Sequence, residues 1–536
     1  MIAKTRTLVV GWDGATFDII KPLVDRGLMP NVAGLMRRGA WGRLESTIPH
    51  LTPVAWTSMF TGVNPGKHGI YDAMIYRPEL KRIVFANATM RAVKSVWSML
   101  SDKGGKTGVM NVPMTYPLDE SDGFAISGMF TPDGVDDFIK PPGLKAEIER
   151  LFGRYMIECR QESDPDAYLK LIIDMVDYRE KVCLYLMERQ AWDFFFVVFV
   201  ATDRVQHFFW KYLDPRHPEH SKYGGAVAQV YERLDAALGR ILEKAGPDTN
   251  VMMVSDHGSG PLDSAFFLNN WLLKKGYLTL KQDMASALKT KKGSRIMQGL
   301  ARSVRKVLPS AKWSGRRPGA DASINAFYSL IDFERTDAFS EGVSGAIYIN
   351  EDLQPAQRQA VSKKLIGELC EIRDDSGRRV IEHVYRREDI YSGEHVLKAP
   401  DLTVICGPGY QVIAPNEFLY FKKKFEDSLF LSHRWSGRHE RYGIFLLKGP
   451  AVKKGVVLEN PRIIDVTPTI LHLMEMAVPA YMDGMVLQEA LEPEYLARNP
   501  VRYSGEAATG ETGAKELSED QEKEIAEKLK NLGYME

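Results

Sequence analysis

"FFFVVFVATD" (Phe194–Asp203) sets eight apolar residues in a row, without polar alternation, and then stops on an acid. A run that is apolar at every position reads as a strand buried on both faces, which implies a parallel sheet covered by helices. Two more runs behave alike. "TLVVGWDG" (Thr7–Gly14) halts at Asp13, and "NVMMVSDHG" (Asn250–Gly258) halts at Asp256 and His257. A fourth, "YGIFLLKGP" (Tyr442–Pro450), follows His439 closely. Helical patterns lie between them, such as "PNVAGLMRRG" opened by Pro30 and "VAQVYERLDAALGRILEKAG" closed by Gly246. Alternating strands and helices predict an α/β fold with a mostly parallel central sheet flanked by helices. In such sheets ligands collect beyond the carboxyl ends of the strands, where Asp13, Asp203 and Asp256 all stand.

Composition narrows the function classes. The 536 residues carry 70 basic and 70 acidic side chains, so no global charge argues for nucleic acid or membrane. Four cysteines (Cys159, Cys183, Cys370, Cys406) are far apart and without CxxC spacing, which suits free thiols in a reducing compartment. The N-terminal apolar run meets Asp13 too early for a secretory signal, and Phe194–Ala201 is far short of the ~20 residues that span a bilayer. The expectation is a soluble, cytoplasmic protein.

Along the chain, residues 1–259 form the first part of a core. Residues 260–405 form a cap or insertion, 406–495 return to the core, and 496–536 hold a linker and a C-terminal helix. Within the cap, "KQDMASALKTKKGSRIMQGLARSVRKVLPSAKWSGRRPG" (Lys281–Gly319) is strongly basic and can form amphipathic helices through Leu288, Ile296, Leu300, Val304 and Leu308. It is a candidate lid that attracts anions, or a weak contact with an anionic membrane surface. From Tyr503 to Gly513 the composition is that of a linker. Beyond it, Ser518 and Gln521 have capping-box spacing, Ile525, Leu529 and Leu532 share a face, and Gly533 stops the helix.

Certain residues are of metal-ligating type. Asp203 and His207, four apart in "TDRVQH", project from one side if a helix begins at the strand end. In "SDHG" an acid and an imidazole stand together at a strand-to-loop bend. His439 in "SGRHERYG" precedes another strand, with His433 as its competitor. Upstream, "IPHLTPVAWTSMFTG" (Ile48–Gly62) offers four hydroxyls: Thr52, Thr57, Ser58 and Thr61. Pro53 suits the first helical position, which makes Thr52 the expected N-cap and Gly62 the stop. Thr57, Ser58 and Thr61 then fall inside the helix, with hydroxyls expected on carbonyls one turn back. Mixed Asp/His ligation suits Zn²⁺ or Mn²⁺ better than Ca²⁺.

In this order, Asp13, "TPVAWTSMFTGVNPGKHGI", "TDRVQH", "SDHG" and "GRHERYG" resemble the alkaline phosphatase superfamily. Within it the chain is most similar to the type I phosphodiesterase/nucleotide pyrophosphatase branch, including its predicted phosphohydrolases and phosphomutases. The likeness runs from Leu8 to about Leu487 and takes in "DVTPTILHLMEM" and "MDG". It implies two metal ions, one on Asp203, His207 and His439, the other on Asp13, Asp256, His257 and the Thr52 hydroxyl. Thr52, Thr61, Gly62, His68, Gly69 and Ile70 fit the branch's frame for a nucleophilic threonine. The resemblance argues against a sulfatase, because "LTPVAW" lacks the Cys and Arg that the sulfatase nucleophile motif needs. The branch's phosphodiesterases carry a phosphate-binding Asn roughly at Tyr71–Ala73, where this chain has none; Asn111 in "VMNVPMTYP" is the candidate replacement. The implied activity is metal-dependent cleavage of a phosphodiester or pyrophosphate in a small substrate, through a phosphothreonine at Thr52. The alternative is a phosphomonoesterase or phosphomutase.

Overall fold

Phe194–Phe199 is a strand buried along its whole length, with Thr7–Trp12 on one side and Thr107–Val112 on the other, both parallel to it. The computed structural model describes residues 5–77, 82–281, 328, 330–341, 344–413, 430–431, 435–508, 518, 521–522 and 524–525. The central sheet has nine strands, in the order Val456–Val457, Ala40–Glu45, Tyr442–Lys448, Asn250–Val254, Thr7–Trp12, Phe194–Phe199, Thr107–Val112, Gly123–Ser127, Ile139–Lys140. The five strands from Asn250–Val254 to Gly123–Ser127 run parallel. "YGIFLLKGP" shares their apolar character but runs antiparallel to both its neighbours, so an unbroken apolar run reports burial on two faces and not strand direction.

Helices cover both faces. The pair Pro165–Arg189 and Ala226–Ala245 pack on each other, and the second closes on Gly246 as expected. On the sheet also lies Thr52–Thr61, whose Trp56 ring meets Phe196 with centroids 5.8 Å apart. Gly11 makes that approach possible, since a Cβ there would stand 2.5 Å from the indole. Any larger residue in the middle of this strand would push the helix off the sheet.

A second layer starts directly after "SDHG". The strand Gly258–Phe266 pairs antiparallel with Gly437–Glu440, in a register that sets Ser259 opposite His439. Residues nearly two hundred positions apart are thereby brought side by side. The boundary expected at 259/260 falls within this strand. In the region expected as a cap lies a four-stranded antiparallel sheet, Ala338–Glu341, Ala346–Ile349, Leu402–Cys406 and Ile381–Arg386, with the helix Pro355–Cys370. The boundary expected at 405/406 also falls within a strand. The basic run lies outside the described residues from 282 onward. In the expected linker, Tyr503–Ser504 pairs with Val478–Pro479, so the chain stays attached to the core further than its composition implies. Ser518 and Gln521 form both bonds of the capping box, and Ile525 is fully buried. Leu529, Leu532 and Gly533 lie outside the described residues. Among the described residues no helix is long and apolar enough to cross a membrane, and all four cysteines are free.

Candidate active site

The helix that carries the hydroxyls begins one residue earlier than expected. Leu51, with φ −116° and ψ 142°, is the N-cap, its carbonyl accepts from Ala55 N, and Thr52 is the first helical residue. Proline is tolerated anywhere in the first turn, where N–H groups have no intrahelical acceptor, so Pro53 fits the second position equally well. Gly62, at φ 72°, ends the helix as expected. Thr57 and Thr61 donate to the carbonyls of Pro53 and Thr57, each at 2.6 Å. Ser58 does not follow them. It bonds His68 Nε2 at 2.8 Å and ties the helix to the "HGI" segment. Thr52 Oγ1 lies 3.3 Å from His257 Nε2, at the mouth of the helix, where free N–H groups and the helix dipole favour a phosphate.

Each acid is placed by its strand end. Asp13 follows Thr7–Trp12, its N–H donates to Phe199 O, and Trp56 Nε1 donates to its Oδ2 at 3.0 Å. Gly14, at φ 68°, turns its N–H onto Asp256 Oδ1 at 3.1 Å. A Cβ on Gly14 would stand 3.3 Å from Asp203 Oδ1, so a glycine is needed for the acids to crowd together. Asp203 and His207 lie in the helix Ala201–Phe209, as their spacing predicts, with His207 Nε2 3.0 Å from Asp203 Oδ1.

Two clusters result. In one, His257 Nε2 is 3.2 Å from Asp256 Oδ2 and 3.7 Å from Asp13 Oδ1. In the other, Asp203 Oδ1 faces His207 Nε2 at 3.0 Å and His439 Nε2 at 3.5 Å, and those two nitrogens are 3.0 Å apart. The His257 and His439 rings stack at 3.7 Å, which joins the clusters. Donor atoms of Asp203, His257 and His439 also fall within 4.8 Å of one another, so His257 borders both.

The protonation pattern is legible from partners. A carbonyl only accepts, so the Nδ1 atoms of His207, His257 and His439 carry the proton they give to Gly437 O, Gly258 O and His50 O. All three Nε2 atoms turn inward, toward the acids. Burial pushes His257 and His439 toward the neutral form. It pushes Asp13 and Asp256 well above the usual carboxylate range, and the charge of Asp203 adds to both. Burial acts on Asp203 too, but His207, His439 and Arg204 outweigh it and hold that carboxyl well below its ordinary value. Asp13 Oδ1, Asp256 Oδ2 and both oxygens of Asp203 are buried and accept no hydrogen bond. Buried carboxylate oxygens that accept no hydrogen bond, Asp203 Oδ2 having only the ion pair with Arg204 Nη1 at 3.2 Å, face the imidazole Nε2 atoms and fit divalent cations. Nδ1–H bonds to carbonyls are the usual outer support of metal-binding histidines.

Asn111 is placed differently from its expectation. Its amide donates to Ser127 O at 3.3 Å and accepts from the Tyr155 hydroxyl at 2.5 Å, so it anchors a loop, with a positive φ of 58°. An isolated Asn before a proline gives no sign of such a distant partner. His433 lies outside the described residues. Two supports were not foreseen: the His50 carbonyl on His439, and Trp56 on Asp13. The indole N–H could have been found from helical spacing, since position 56 is one turn beyond Thr52.

The mostly parallel sheet and the paired acid–imidazole clusters agree with the resemblance to the alkaline phosphatase superfamily. The sequence model for type I phosphodiesterase/nucleotide pyrophosphatase matches residues 7–423, and the chain belongs to that family of phosphoester hydrolases. No curated protein matches it in sequence. Among solved structures, human ectonucleotide pyrophosphatase/phosphodiesterase 5 aligns with a TM-score of 0.52 at 15% identity, over 91% of this chain and 100% of its own. The murine protein, as an inactive variant in complex with AMP, aligns at 0.54 and 15%, with the same coverage. Phosphonoacetate hydrolase from Sinorhizobium meliloti, in complex with phosphonoacetate, aligns at 0.54 and 14%, over 87% of this chain and 94% of its own. At these identities the likeness is one of fold.

Proposed function

We propose that the chain is a two-cation phosphodiesterase or pyrophosphatase, with Thr52 as nucleophile and a small phosphorylated substrate, acting in the cytoplasm. The observation that carries this reading is the Thr52 hydroxyl, 3.3 Å from His257 Nε2, at a helix N-terminus and against two acid–imidazole clusters. Asp13, Asp256, His257 and Thr52 would hold one divalent cation, and Asp203, His207 and His439 the other. Zinc or manganese so held supplies positive charge to the phosphoryl oxygens and makes a hydroxyl or water more acidic. The family and the AMP and phosphonoacetate complexes of its structural neighbours support a small phosphoryl or phosphonyl ligand.

On this reading Thr52 Oγ attacks phosphorus in line, and the P–O bond to the alcohol or phosphate leaving group breaks as the new one forms. The leaving oxygen departs on the side of Asp203, His207 and His439. Water enters from that side, breaks the phosphothreonine and returns the hydroxyl to Thr52. Helix N–H groups orient the equatorial oxygens, so little acid–base work falls to side chains.

A phosphomonoesterase or phosphomutase is the second reading, favoured by the segment Tyr71–Ala73. There Asp72 turns its carboxylate onto Ala73 N at 2.6 Å, and the amide of Asn111 is held by Ser127 and Tyr155. The test is turnover of a chromogenic phosphodiester and the matching monoester by enzyme stripped with EDTA and reloaded with Zn²⁺ or Mn²⁺. The first reading expects metal-dependent turnover with the diester preferred. A strong monoester preference replaces it with the second, and no metal-dependent turnover on either removes both.

A further inference from the structure

Among the described residues, Asp203 is the one acid of the site with an ion pair to a buried arginine. Its two oxygens face different ways. Oδ1 faces His207 Nε2 and His439 Nε2, whereas Oδ2 lies 3.2 Å from Arg204 Nη1. The Arg204 side chain is 2% exposed, and its Nη2 reaches Glu158 Oε2 at 3.4 Å and Met129 Sδ at 3.8 Å. A guanidinium so enclosed cannot swing away to solvent.

Glu158 belongs to a segment that supports this cluster a second time. Trp435 lies against the His207 ring, with centroids 4.3 Å apart, and its indole N–H donates to Gln161 Oε1 at 3.4 Å. The same segment is fixed to the sheet through Tyr155 and Asn111, and through Ile157 O, which accepts from the buried Arg179. One stretch, Tyr155–Gln161, thus backs both residues that the helix Ala201–Phe209 offers to the cluster.

We propose that Arg204 is a positioning residue: it occupies Asp203 Oδ2, so that only Oδ1 is offered to a cation between His207 and His439, and Tyr155–Gln161 clamps it there. This rests on the two-cation reading above. A carboxylate free to use both oxygens would fill a coordination position that the leaving oxygen and the water need. With Oδ2 engaged, that position stays open. Arginine suits the task because its charge is permanent and its planar fork spans two carboxylates at once.

The test compares wild type with Arg204→Gln, Arg204→Lys and Glu158→Gln after loading each with Co²⁺. Visible absorption reports the number of ligands on cobalt, independently of turnover. Arg204→Gln is expected to lose about half of the band intensity and roughly tenfold in kcat, with KM within about twofold, as other outer supports of metal ligands imply. Arg204→Lys should recover part of both, and Glu158→Gln should shift them in the same direction by less. A wild-type cobalt spectrum and kcat in Arg204→Gln would overturn the proposal. If that variant does not fold, an unchanged spectrum in Glu158→Gln overturns it instead. Wild-type protein that takes up no cobalt is a different result, and would remove the two-cation reading itself.

Discussion

Two sets of buried acids stand in this molecule and are settled by different chemistry. At the strand ends, Asp13, Asp203 and Asp256 are at most 1% exposed and share their space with three imidazoles. At the seam between core and cap, Asp72 and Glu341 are 4% and 1% exposed, but the groups around them are Ser344 and the rings of Tyr76, Tyr328 and Tyr348. Burial raises Asp72 to about 6, and raises Glu341 well above the usual range, with the charge of Asp72 adding. Two neighbouring acids buried in a seam of phenols are settled by protons. At the strand ends Asp203 is held ionised, and three imidazoles turn Nε2 atoms toward the acids, a donor set that fits cations. Burial raises Asp13 and Asp256 as it raises Asp72 and Glu341, and the strand ends differ in holding Asp203 ionised beside imidazoles and the Arg204 guanidinium.

The largest effect that separates the two regions is on turnover. Thr52→Ala should lower metal-dependent hydrolysis by about 10⁴-fold, roughly 5 kcal/mol of transition-state stabilisation. Its melting temperature should still rise on adding Zn²⁺ or Mn²⁺, because the acids and imidazoles that hold the cations remain. Steady-state rates on a chromogenic diester, with thermal melts beside them, check both halves. Full activity in the variant would remove Thr52 from its role.

Next comes the stability that cations lend. At about 1,000 times Kd, each site should add about 4 kcal/mol to the folded state. Asp13→Asn should abolish one of the two increments, whereas Glu341→Gln should leave both intact. Thermal melts at stepped metal concentration measure this. A loss of the metal response in Glu341→Gln would mean that the regions are not distinct.

The seam should respond to pH instead. The folded pKa of Asp72 is raised from 3.8 to about 6, so folding favours its protonated form. Its contribution to stability is complete below about pH 4 and is lost as pH rises through about 6, roughly 3 kcal/mol in all. Asp72→Asn should flatten that slope in chemical denaturation between pH 4 and 7. A slope unchanged in the variant would assign it to other groups.

The sequence was most informative where chemistry coincides with periodicity. Unbroken apolar runs that end on Asp13, Asp203 and Asp256 announced both the sheet and the strand ends where the acids gather, and the four-residue spacing of Asp203 and His207 announced a shared helix. The direction of Tyr442–Lys448 was not legible, since burial on both faces is the same for either direction. His439 arrives through a pairing with Ser259 that no local pattern encodes. The partner of Asn111, Tyr155, is 44 residues away, a contact that no local pattern shows. The seam acids went unnoticed, because a single Asp or Glu in a loop or strand looks solvated until a second element covers it.

Trp56 gives the smallest expected effect and the finest division of the comparison. Its Nε1–H donates to Asp13 Oδ2 at 3.0 Å, and its ring lies over Gly11, so one residue serves both the core and the site. Trp56→Phe keeps most of the ring and removes only the donor. Burial favours the neutral form of Asp13 in the metal-free protein, where a hydrogen bond contributes about 0.5–1.5 kcal/mol, so that protein should lose about 1 kcal/mol of stability. The metal-loaded protein should keep its fold but bind one cation about tenfold more weakly, as outer supports of metal ligands do. Asp13 Oδ1 stays in place, but Oδ2 becomes free to turn the carboxylate away. Isothermal titration of the stripped variant with Zn²⁺, beside its melting curve, separates the two losses. A variant that melts lower yet binds both cations like wild type would make Trp56 a packing residue alone, and the Asp13 cluster would then owe its geometry to Gly14 and the strand end.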